Sequence, residues 1–428
     1  MGDRLWNSPD VRTFMVGRTV SELGSRVTRE GLPIVAILAV GAKAPELGLL
    51  AALSSLAAVG AAPWAGVVVD RRRRRPMMIA TDLLRALALL TVPAAALLHR
   101  LTFLQIAVVT AFVGGATVLF DVADQAWLPQ FVSRRRLREG NALVAGASAV
   151  GETGGPALMG LLIQWVGGPM AILFDAASYV VSAISLLLIR RPEPRPQPDG
   201  EDNTAVRQAI AGFRMVLSHP ILRPLALTVA TRSLFSGFFG ALYEIYALQT
   251  LHLTPLELGL LITFGGVGAL AGSVAAPWAA RRFGTGRVLL PTLLFAGVLA
   301  LLVPLAHGPL PLAFGALFLA QLCGDAVGTV FRVNEAVVRQ SVTPDGWLGR
   351  VTGSGRWLAG TLSALGAIVA GALAGAVGLR TALLVAAIGD VLAPAWLLFS
   401  RIRTLSEPGL APEADFSGPH RVSGAVGR

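Results

Sequence analysis

Twelve long apolar runs constrain the fold of this chain more than any other feature of its sequence. They lie at residues 13–40, 46–69, 77–98, 101–124, 141–165, 169–189, 223–250, 256–280, 288–307, 309–331, 351–377 and 379–400. A helix that crosses the hydrocarbon core of a membrane needs about 20 mostly apolar residues. Because the runs are continuous and do not alternate with polar residues, they exclude a transmembrane β-barrel. The sequence therefore predicts an all-α membrane protein with twelve transmembrane helices.

The composition agrees with this prediction. Of the 428 residues, 54% are hydrophobic and only 14% are charged, whereas soluble domains carry about 25% charged residues. A soluble protein of this composition would expose large apolar patches and aggregate. The single cysteine, Cys323, excludes disulfide scaffolds and Cys-based metal centres, and the five histidines are scattered. We therefore expect no metal site and no bound cofactor.

Arginines are concentrated in alternate loops between the apolar runs. These loops contain residues 71–75, Arg134, Arg135, Arg136, Arg138, Arg190, Arg191, Arg195, Arg281, Arg282, Arg287, Arg339 and Arg350. An excess of positive charge marks the cytoplasmic side of a membrane protein. We expect both termini in the cytoplasm and the chain in the inner membrane of a bacterium. Because topology accounts for the arginines, the net charge of +11 does not indicate a nucleic-acid partner.

A polar stretch divides the chain near its middle. Residues 190–218 begin with alternating Arg and Pro, turn acidic, and end in a segment that fits an amphipathic helix at the membrane surface. They are predicted to form a cytoplasmic linker between a six-helix bundle at 1–189 and a second bundle at 219–403. Residues 404–428 are rich in Gly, Pro and Ser, which predicts a disordered cytoplasmic tail.

The two halves repeat one another in sequence. The pentapeptide Glu-Leu-Gly-Leu-Leu occurs at residues 46–50 and again at 257–261, an offset of 211 residues. The same offset relates Thr81 to Thr292, Pro93 to Pro304 and Phe120 to Phe331. Two six-helix pseudo-repeats are an architecture of secondary transporters, which bind substrate between the halves and work by alternating access. We expect such a transporter, working as a monomer in the lipid bilayer.

A glycine, an aspartate and five arginines stand between the second and third runs. The segment reads Gly66-Val-Val-Val-Asp70 and continues as Arg71 to Arg75. It resembles the signature Gly-x-x-x-Asp-Arg/Lys-x-Gly-Arg/Lys-Arg/Lys of the major facilitator superfamily, and it departs from that signature where Arg73 replaces a glycine. We expect Gly66 to allow close helix packing and Asp70 to pair with neighbouring guanidinium groups.

The resemblance implies a conformational latch made by Gly66, Asp70, Arg71, Arg74 and Arg75. In the family this loop holds the two halves together in the outward-open state, with an acidic residue at the inner end of the fourth span as its partner. Asp121 and Asp124 stand there. Asp121 is the predicted partner, because the pair Phe120-Asp121 is similar to the pattern of the exporter branch.

The fifth run contains a glycine and proline pattern at Gly151, Gly155, Pro156 and Gly160. It resembles the motif Gly-x-x-x-Gly-Pro-x-x-Gly-Gly of drug–proton antiporters, with Met159 in place of one glycine. Residues 120–129, 141–143 and 339–351 are similar to the branch that contains enterobactin exporters and macrolide-efflux-type proteins. A thin helix that lets its neighbours slide is the expected role of the motif, and ordinary small-residue packing is the alternative.

Ionisable residues inside the runs need a compensating role, because a charge at the bilayer centre costs at least about 2.5–3.5 kcal/mol. Arg18, Glu22, Arg26 and Arg29 lie on one stripe of the first helix, which must face the central cavity rather than lipid. Glu22 and Glu30 resemble an acidic pair that binds protons and cations on the first span of family antiporters. A purely structural pair of Glu22 with Arg26 is the alternative.

Six residues are candidates for proton coupling or substrate binding. They are Glu22, Arg26, Glu30, Glu152, Asp325 and Asp390. Glu152 lies near the middle of the fifth run with no arginine near it in sequence, so we predict it to be the proton carrier. Glu22 has cationic neighbours and is expected to bind a cationic substrate or hold an arginine. Asp82 and Arg85, three residues apart, are expected to pair.

These observations predict a proton-driven exporter of a drug-like or amphiphilic small molecule, such as an antibiotic, a siderophore or a secondary metabolite. An importer or a lipid or nutrient facilitator of the same fold is the first alternative. A membrane-embedded enzyme is the second, but the sequence contains no Walker loop, no His-Glu-x-x-His and no Gly-x-Ser-x-Gly.

Overall fold

The computed structural model describes residues 5–132, 136–189 and 205–398, together with Ser400 and Ile402. Within these residues every regular element is helical. The predicted linker residues 190–204 and the predicted tail at 404–428 lie outside the described residues. The same holds for Arg134, Arg135, Arg190, Arg191 and Arg195 of the arginine pattern.

Six long helices form the first half. They are α1 (Pro9–Val40), α2 (Ala44–Arg71), α3 (Arg74–Leu97), α4 (Phe103–Phe131), α5 (Leu137–Val166) and α6 (Gly168–Leu188). A glycine follows two of these helices, because a residue with positive φ lets backbone N–H groups after the helix bond its last carbonyls. Gly41 after α1 has a φ of 73° and Gly167 after α5 has a φ of 84°.

The second half contains a short helix followed by six further spans. The helices are α7 (Ala205–Ser218), α8 (Leu222–Ile245), α9 (Pro255–Phe283), α10 (Thr285–Ala300), α11 (Leu302–Leu305), α12 (Leu310–Val342), α13 (Leu348–Val377), α14 (Leu379–Leu392) and α15 (Ala395–Leu398). A π turn at Tyr246–Thr250 extends α8. The pairs α10 with α11 and α14 with α15 each make one span, interrupted only near Leu301 and Pro394.

Ten of these spans are long and apolar enough to cross a membrane by length and composition. The other two, α1 and α5, are equally long but carry the charged and glycine-rich segments of the predicted site. The predicted ends of the fourth and tenth spans, at 124 and 331, are wrong. Helical hydrogen bonding continues into the polar residues beyond the apolar runs, so that α4 ends at Phe131 and α12 at Val342.

Helix boundaries confirm the sequence repeat. The offset of 211 residues relates both ends of α5 (Leu137–Val166) to both ends of α13 (Leu348–Val377). It also relates the starts of α2 and α9. The third residue of each helix is a glutamate, Glu46 or Glu257, and its carboxylate accepts the backbone N–H of the residue that precedes the helix, Lys43 or Thr254, at 2.7 Å. These glutamate caps and the glycines after α5 and α13 repeat because each is a local signal that starts or stops a helix.

The two halves meet through two symmetry-related helix pairs, α2 with α13 and α9 with α5. A Cβ on Gly371 would lie 3.2 Å from the Cα of Gly48, and a Cβ on Gly259 would lie 3.2 Å from the Cα of Gly160. The offset of 211 residues relates Gly48 to Gly259 and Gly160 to Gly371. Small residues at these four positions let the backbones approach closely. We call this end of the bundle, where α2 and α9 begin, the closed end.

The halves separate toward the opposite end, which we call the open end. Val59 of α2 still contacts Gly360 of α13. Gly66 and Gly353 lie two turns farther along the same helix faces, and nothing lies within 4 Å of a Cβ at either. The prediction that Gly66 packs closely is therefore wrong for this conformation, because α2 and α13 have already diverged where it stands.

Helix α7 packs against α13 and α8 at the open end. Phe213 meets Trp357 edge to face, with ring centroids 5.8 Å apart. The sequence prediction of a helix at 205–218 is confirmed. His219 then starts α8, because its Nδ1 accepts the N–H groups of Ile221 and Leu222 at 3.2 Å each. Burial lowers the pKa of His219 and favours the neutral ring that these bonds require.

Candidate functional site

Two large cavities lie inside the bundle, the first at the contact between the halves and the second mostly within the second half. The first has a volume of about 500 Å³ and is lined by α1, α2, α4, α6, α8 and α13. The second has a volume of about 730 Å³ and is lined by α8, α9, α10, α12 and α14, with Glu30 of α1 at its edge. Glu30, Gly240 and Glu244 line both cavities. Together the cavities provide space for a drug-sized molecule.

A third cavity lies inside the first half. It has a volume of about 260 Å³ between α1, α4 and α5. The stripe predicted on α1 lines it, with Arg18, Glu22, Arg26 and Arg29 all on its wall. The stripe therefore faces a cavity, but the prediction that this is the central cavity is wrong for Arg18, Glu22 and Arg26, and of the four residues only Arg29 also lines the first cavity. Helix α1 keeps these charges away from lipid because it packs between α5 and α6.

Ion pairs connect this stripe to α4 and α5. Arg18 binds Asp124 of α4 and also Glu22, whose carboxylate lies 3.3 Å from Arg18 Nη2. Ser148 Oγ of α5 donates to Glu22 at 3.1 Å. Arg26 binds Glu152 instead of Glu22, with Nη2 and Oε1 2.7 Å apart. The alternative pair of Glu22 with Arg26 is therefore not the one that forms.

The prediction that Glu152 is a buried carboxylate without a cation is wrong. Arg26 pairs with it across the contact of α1 with α5, and 57% of the Glu152 side chain is exposed. The two residues are 126 positions apart, so no local pattern could indicate the pair. With a cation beside it and solvent around it, Glu152 loses the physical argument for proton coupling.

Glycines of the antiporter-like motif bring α5 against its neighbours. A Cβ on Gly151 would lie 2.9 Å from the Cβ of Glu22, and a Cβ on Gly155 would collide with Arg26. A Cβ on Gly160 would collide with the carbonyl of Pro255 in the other half, and the carbonyl of Pro156 lies against Gly259. The helix is therefore thin on two faces, and sliding of its neighbours past this motif stays a prediction.

The predicted latch is not assembled in this conformation. Arg74 Nη1 donates to the carbonyl of Ala126 at 3.1 Å, and Arg75 Nε donates to the carbonyl of Leu186 at 2.8 Å, both within the first half. Asp70 and Arg71 are exposed, and Asp70 has no ion pair within the part of the chain that the structure describes. Asp121 lines the first and third cavities.

Arg85 anchors the interior of the first half, whereas the sequence predicted only that it pairs with Asp82. Arg85 is 2% exposed and binds Asp82, which confirms the predicted pair. Its guanidinium carbon lies 4.0 Å from the ring centroid of Tyr179 and 4.6 Å from that of Phe120. Asp175, which is fully buried, accepts a hydrogen bond from Ser178 nearby at 2.9 Å. This cluster holds α3, α4 and α6 together.

In the second half Asp390 is paired and Asp325 faces a cavity. Arg232 Nε lies 3.1 Å from Asp390 Oδ1, so this candidate carboxylate has a cation beside it. Asp325 lines the second cavity and interacts electrostatically with Arg232 and Arg332. Within the described residues, no group of three or more His, Cys, Asp and Glu side chains is arranged to hold a metal ion.

Glu30 is one of the predicted site residues, and the structure places it on the walls of the same cavities as Glu244 of α8. Each lines both cavities. Glu244 stands in an aromatic segment of α8, and the sequence indicates only that it is one of several membrane-embedded charges. Which face of α8 meets α1 is decided by packing, so no pattern within α8 could have identified the pair.

Comparison with known proteins points to one family of transporters. The family described as Major Facilitator Superfamily matches residues 19–354. Multidrug efflux pump Tap of Mycolicibacterium fortuitum is 29% identical over 368 residues, which are 83% of this chain and 88% of that protein. Enterobactin exporter EntS of Citrobacter koseri is 25% identical over 335 residues, covering 77% and 76%.

A solved structure shows the same fold. The bacterial homologue of the iron transporter ferroportin in its inward-facing state aligns with a TM-score of 0.70 and 18% identity, covering 91% of this chain and 98% of that one.

Proposed function

The chain belongs to the major facilitator superfamily, and on that premise we propose that it exports amphiphilic small molecules in exchange for protons. As a member of this family it is a membrane transporter and not an enzyme. The likeness to Tap and EntS, which are named as exporters, supports export. The proton gradient would be the only energy source, since we propose no cofactor.

One observation carries the proposal. Two cavities that together provide space for a drug-sized molecule lie inside the bundle, and the carboxylates of Glu30 from the first half and Glu244 from the second line both. Aromatic side chains of α8, Phe239 and Tyr243, line the second cavity. Apolar walls with a few convergent polar groups are typical of small-molecule sites, and a membrane-embedded carboxylate is typical of proton-coupled transport.

Alternating access follows from the closed and open ends. We propose that the open end, where the loop of residues 71–75 lies, faces the cytoplasm of a bacterium, which puts both termini inside. The present conformation would then receive substrate from the cytoplasm. A reporter fused after Gly200 should behave as cytoplasmic and one fused at residues 41–46 as periplasmic. The opposite pattern would overturn this orientation.

A pH-sensitive dye in everted membrane vesicles tests the proposed exchange. After the interior is acidified by respiration, addition of a transported compound should dissipate the pH difference, because each cycle carries protons out of the vesicle. A panel of toxic compounds, chosen by growth of a pump-deficient host that carries this protein, supplies the substrate. Vesicles from the host without the protein are the matched control.

A facilitator or an importer of the same fold gives a different result. Movement of substrate without any change of the pH difference would overturn proton exchange and favour facilitated diffusion. Movement into intact cells down the proton gradient would favour import. Either result would leave the membership of the family untouched, because that membership does not depend on direction or coupling.

A further inference from the structure

A small apolar cavity lies beneath α7 at the open end. It has a volume of about 150 Å³ between α7, α8, α12 and α13. Its apolar wall comes mainly from α7 and α8, with Phe213, Val216, Leu222 and Leu225 among the lining side chains. An apolar cavity of about 150 Å³ holds a molecule of benzene, so this one has room for about six carbons of an acyl chain.

Two arginines and one glutamate interrupt the apolar wall. Arg339 of α12 and Arg356 of α13 line the cavity together with Glu335. Arg339 Nε lies 3.6 Å from Glu335 Oε1 and has no hydrogen-bond partner within the described residues. Arg356 is exposed, and no ion pair joins it to an acidic side chain in that part of the chain. The wall therefore carries one positive charge in excess, which a single anion from outside the chain would balance.

Open space borders the guanidinium group of Arg339. Gly355 precedes Arg356 on α13, and a Cβ on Gly355 would have Arg339 Nη1 as its nearest atom on another helix, at 4.0 Å. Because Gly355 has no side chain, an anionic group has room to approach Arg339 from the side of α13.

The exposed face of α7 indicates what surrounds the cavity. Ile210, Arg214 and Leu217 share one face of this helix by their spacing, and Ile210 and Leu217 are 61% and 54% exposed. Other faces of α7 carry Gly212, which packs against the start of α13, and Val216, which lines the cavity. A helix that exposes apolar side chains beside an arginine lies between the acyl chains and the headgroups of a membrane. The cavity beneath α7 is therefore at the depth where lipid headgroups meet their chains.

The bilayer itself supplies an anion of the right chemistry. Basic pockets between transmembrane helices bind the headgroups of anionic lipids. The phosphate of a phospholipid matches the planar donors of two guanidinium groups, and its acyl chains begin where the headgroup ends. An anionic headgroup on Arg339 and Arg356 thus places the upper part of a chain beside the apolar wall.

We propose that this cavity is a site for one anionic phospholipid of the surrounding bilayer, with its phosphate on Arg339 and Arg356 and part of one acyl chain beneath α7. The site lies within the second half, and it goes beyond the proposed export because it needs neither a transported compound nor a proton gradient. The lipid stabilises the packing of α7 on α8 and α13, since a ligand that binds only the folded arrangement stabilises it. Val229, Glu335 and Arg339 also line the second cavity, so the lipid lies against a wall of that cavity.

Native mass spectrometry of the purified full chain tests the site. Protein in detergent is mixed with equal amounts of dioleoylphosphatidylglycerol, which is anionic, and dioleoylphosphatidylcholine, which has no net charge. Wild-type protein should retain one phosphatidylglycerol at a concentration at least about fivefold below that at which it retains phosphatidylcholine. Arg339→Gln and Arg356→Gln should each weaken retention of phosphatidylglycerol about fivefold, the effect of one arginine near a membrane surface.

Arg223→Gln is the matched control, because Arg223 is exposed near the start of α8 and does not line the cavity. It should retain phosphatidylglycerol like wild type. Ala226→Phe places a ring of the size of benzene in the cavity without a change of charge, and it should weaken retention as much as Arg356→Gln does. Without phospholipid all variants should unfold at the wild-type temperature, whereas added phosphatidylglycerol should raise that temperature for wild type and Arg223→Gln but not for Arg356→Gln.

Three results would overturn the proposal. Equal retention of the two phospholipids by wild type would show that no anionic headgroup is recognised. Wild-type preference in both Arg356→Gln and Ala226→Phe would place the lipid elsewhere on the protein. Displacement of phosphatidylglycerol by an equal concentration of oleate would assign the cavity to a free fatty acid instead of a phospholipid.

Discussion

The two halves share a backbone but not a charge pattern. The offset of 211 residues carries α5 onto α13 with both ends matched, yet it carries the buried Asp82 and Arg85 onto Leu293 and Ala296. Asp175 corresponds to Ala386 in the same way. Helix starts and stops are set by local capping and have been kept in both halves, whereas these three buried charges occur in the first half and have apolar counterparts in the second.

The contact between the halves shows the opposite behaviour. Gly48 and Gly259 occupy equivalent positions of the repeat, and so do their partners Gly371 and Gly160. A contact of this kind depends on both halves at once, so the same requirement for a small residue applies to each copy. The comparison teaches that symmetry persists where the halves pack on one another and is lost where each half packs on itself.

The largest effect is expected from Arg85. Arg85→Ala leaves Asp82 buried without its cation and should lower the free energy of unfolding by about 3–5 kcal/mol, measured by equilibrium unfolding in mixed micelles. Asp82→Leu combined with Arg85→Ala copies the apolar residues of the second half and should recover most of the loss. A single variant as stable as wild type would contradict a structural role for this cluster.

Equivalent glycines of the contact between the halves should respond equally. The Gly48→Val and Gly259→Val variants should each destabilise the helix contact at the closed end by about 1–3 kcal/mol through overpacking. Both variants should slow transport to the same extent. Accessibility of a Ser54→Cys probe in a Cys323→Ala background, measured with an impermeant maleimide added from the closed side, should rise in both variants. Gly315→Val, at a glycine with open space around it, is the control, and unequal effects would contradict the symmetry.

The latch should depend on one copy of the repeat only. Asp70 corresponds to Arg281, so Asp70→Asn should reduce transport at least about tenfold, whereas Arg281→Gln should change it about twofold at most. Insertion and expression of both variants, followed by membrane fractionation, should stay normal. Wild-type transport by Asp70→Asn would count against a latch.

Closure of the open end can be tested through the same helices. Because Gly66 and Gly353 lie on the faces of α2 and α13 that already touch at Val59 and Gly360, cysteines at these positions should form a disulfide only when the open end closes. Cross-linking should therefore stop transport and be reversed by a reductant. Failure to cross-link during active transport would show that these faces do not meet.

The smallest effect is expected at Glu152. Its pair with Arg26 is exposed, and exposed ion pairs contribute about 0.2–1 kcal/mol, so Glu152→Gln should change stability by no more than that. Proton release from everted vesicles on addition of a transported compound should stay at the wild-type value. Loss of proton release in this variant alone would restore Glu152 as the proton carrier and would contradict its assignment to a structural pair with Arg26.

Much of the fold could be read from the sequence, because the signals involved are local. The number and approximate places of the spans follow from the length of the apolar runs and the thickness of a bilayer. The repeat follows from matched residues such as Glu46 and Glu257, each of which also accepts the backbone N–H of the residue before its helix. The stripe on α1 was identified by the same local reasoning, since residues one turn apart share a face whatever the helix packs against.

Only the tertiary structure decided which charges meet. The sequence placed Glu152 away from any arginine, gave Arg18 no partner on another helix and assigned no role to Glu244. In the structure Arg26 binds Glu152, Arg18 binds Asp124, and Glu244 lines the same cavities as Glu30. Each of these contacts joins helices whose residues are more than 100 positions apart. Such contacts depend on the rotation and depth of each helix against its neighbours. Packing of small residues such as Gly151 and Gly155 against α1 determines that rotation, and it leaves no periodic trace in the charged residues themselves.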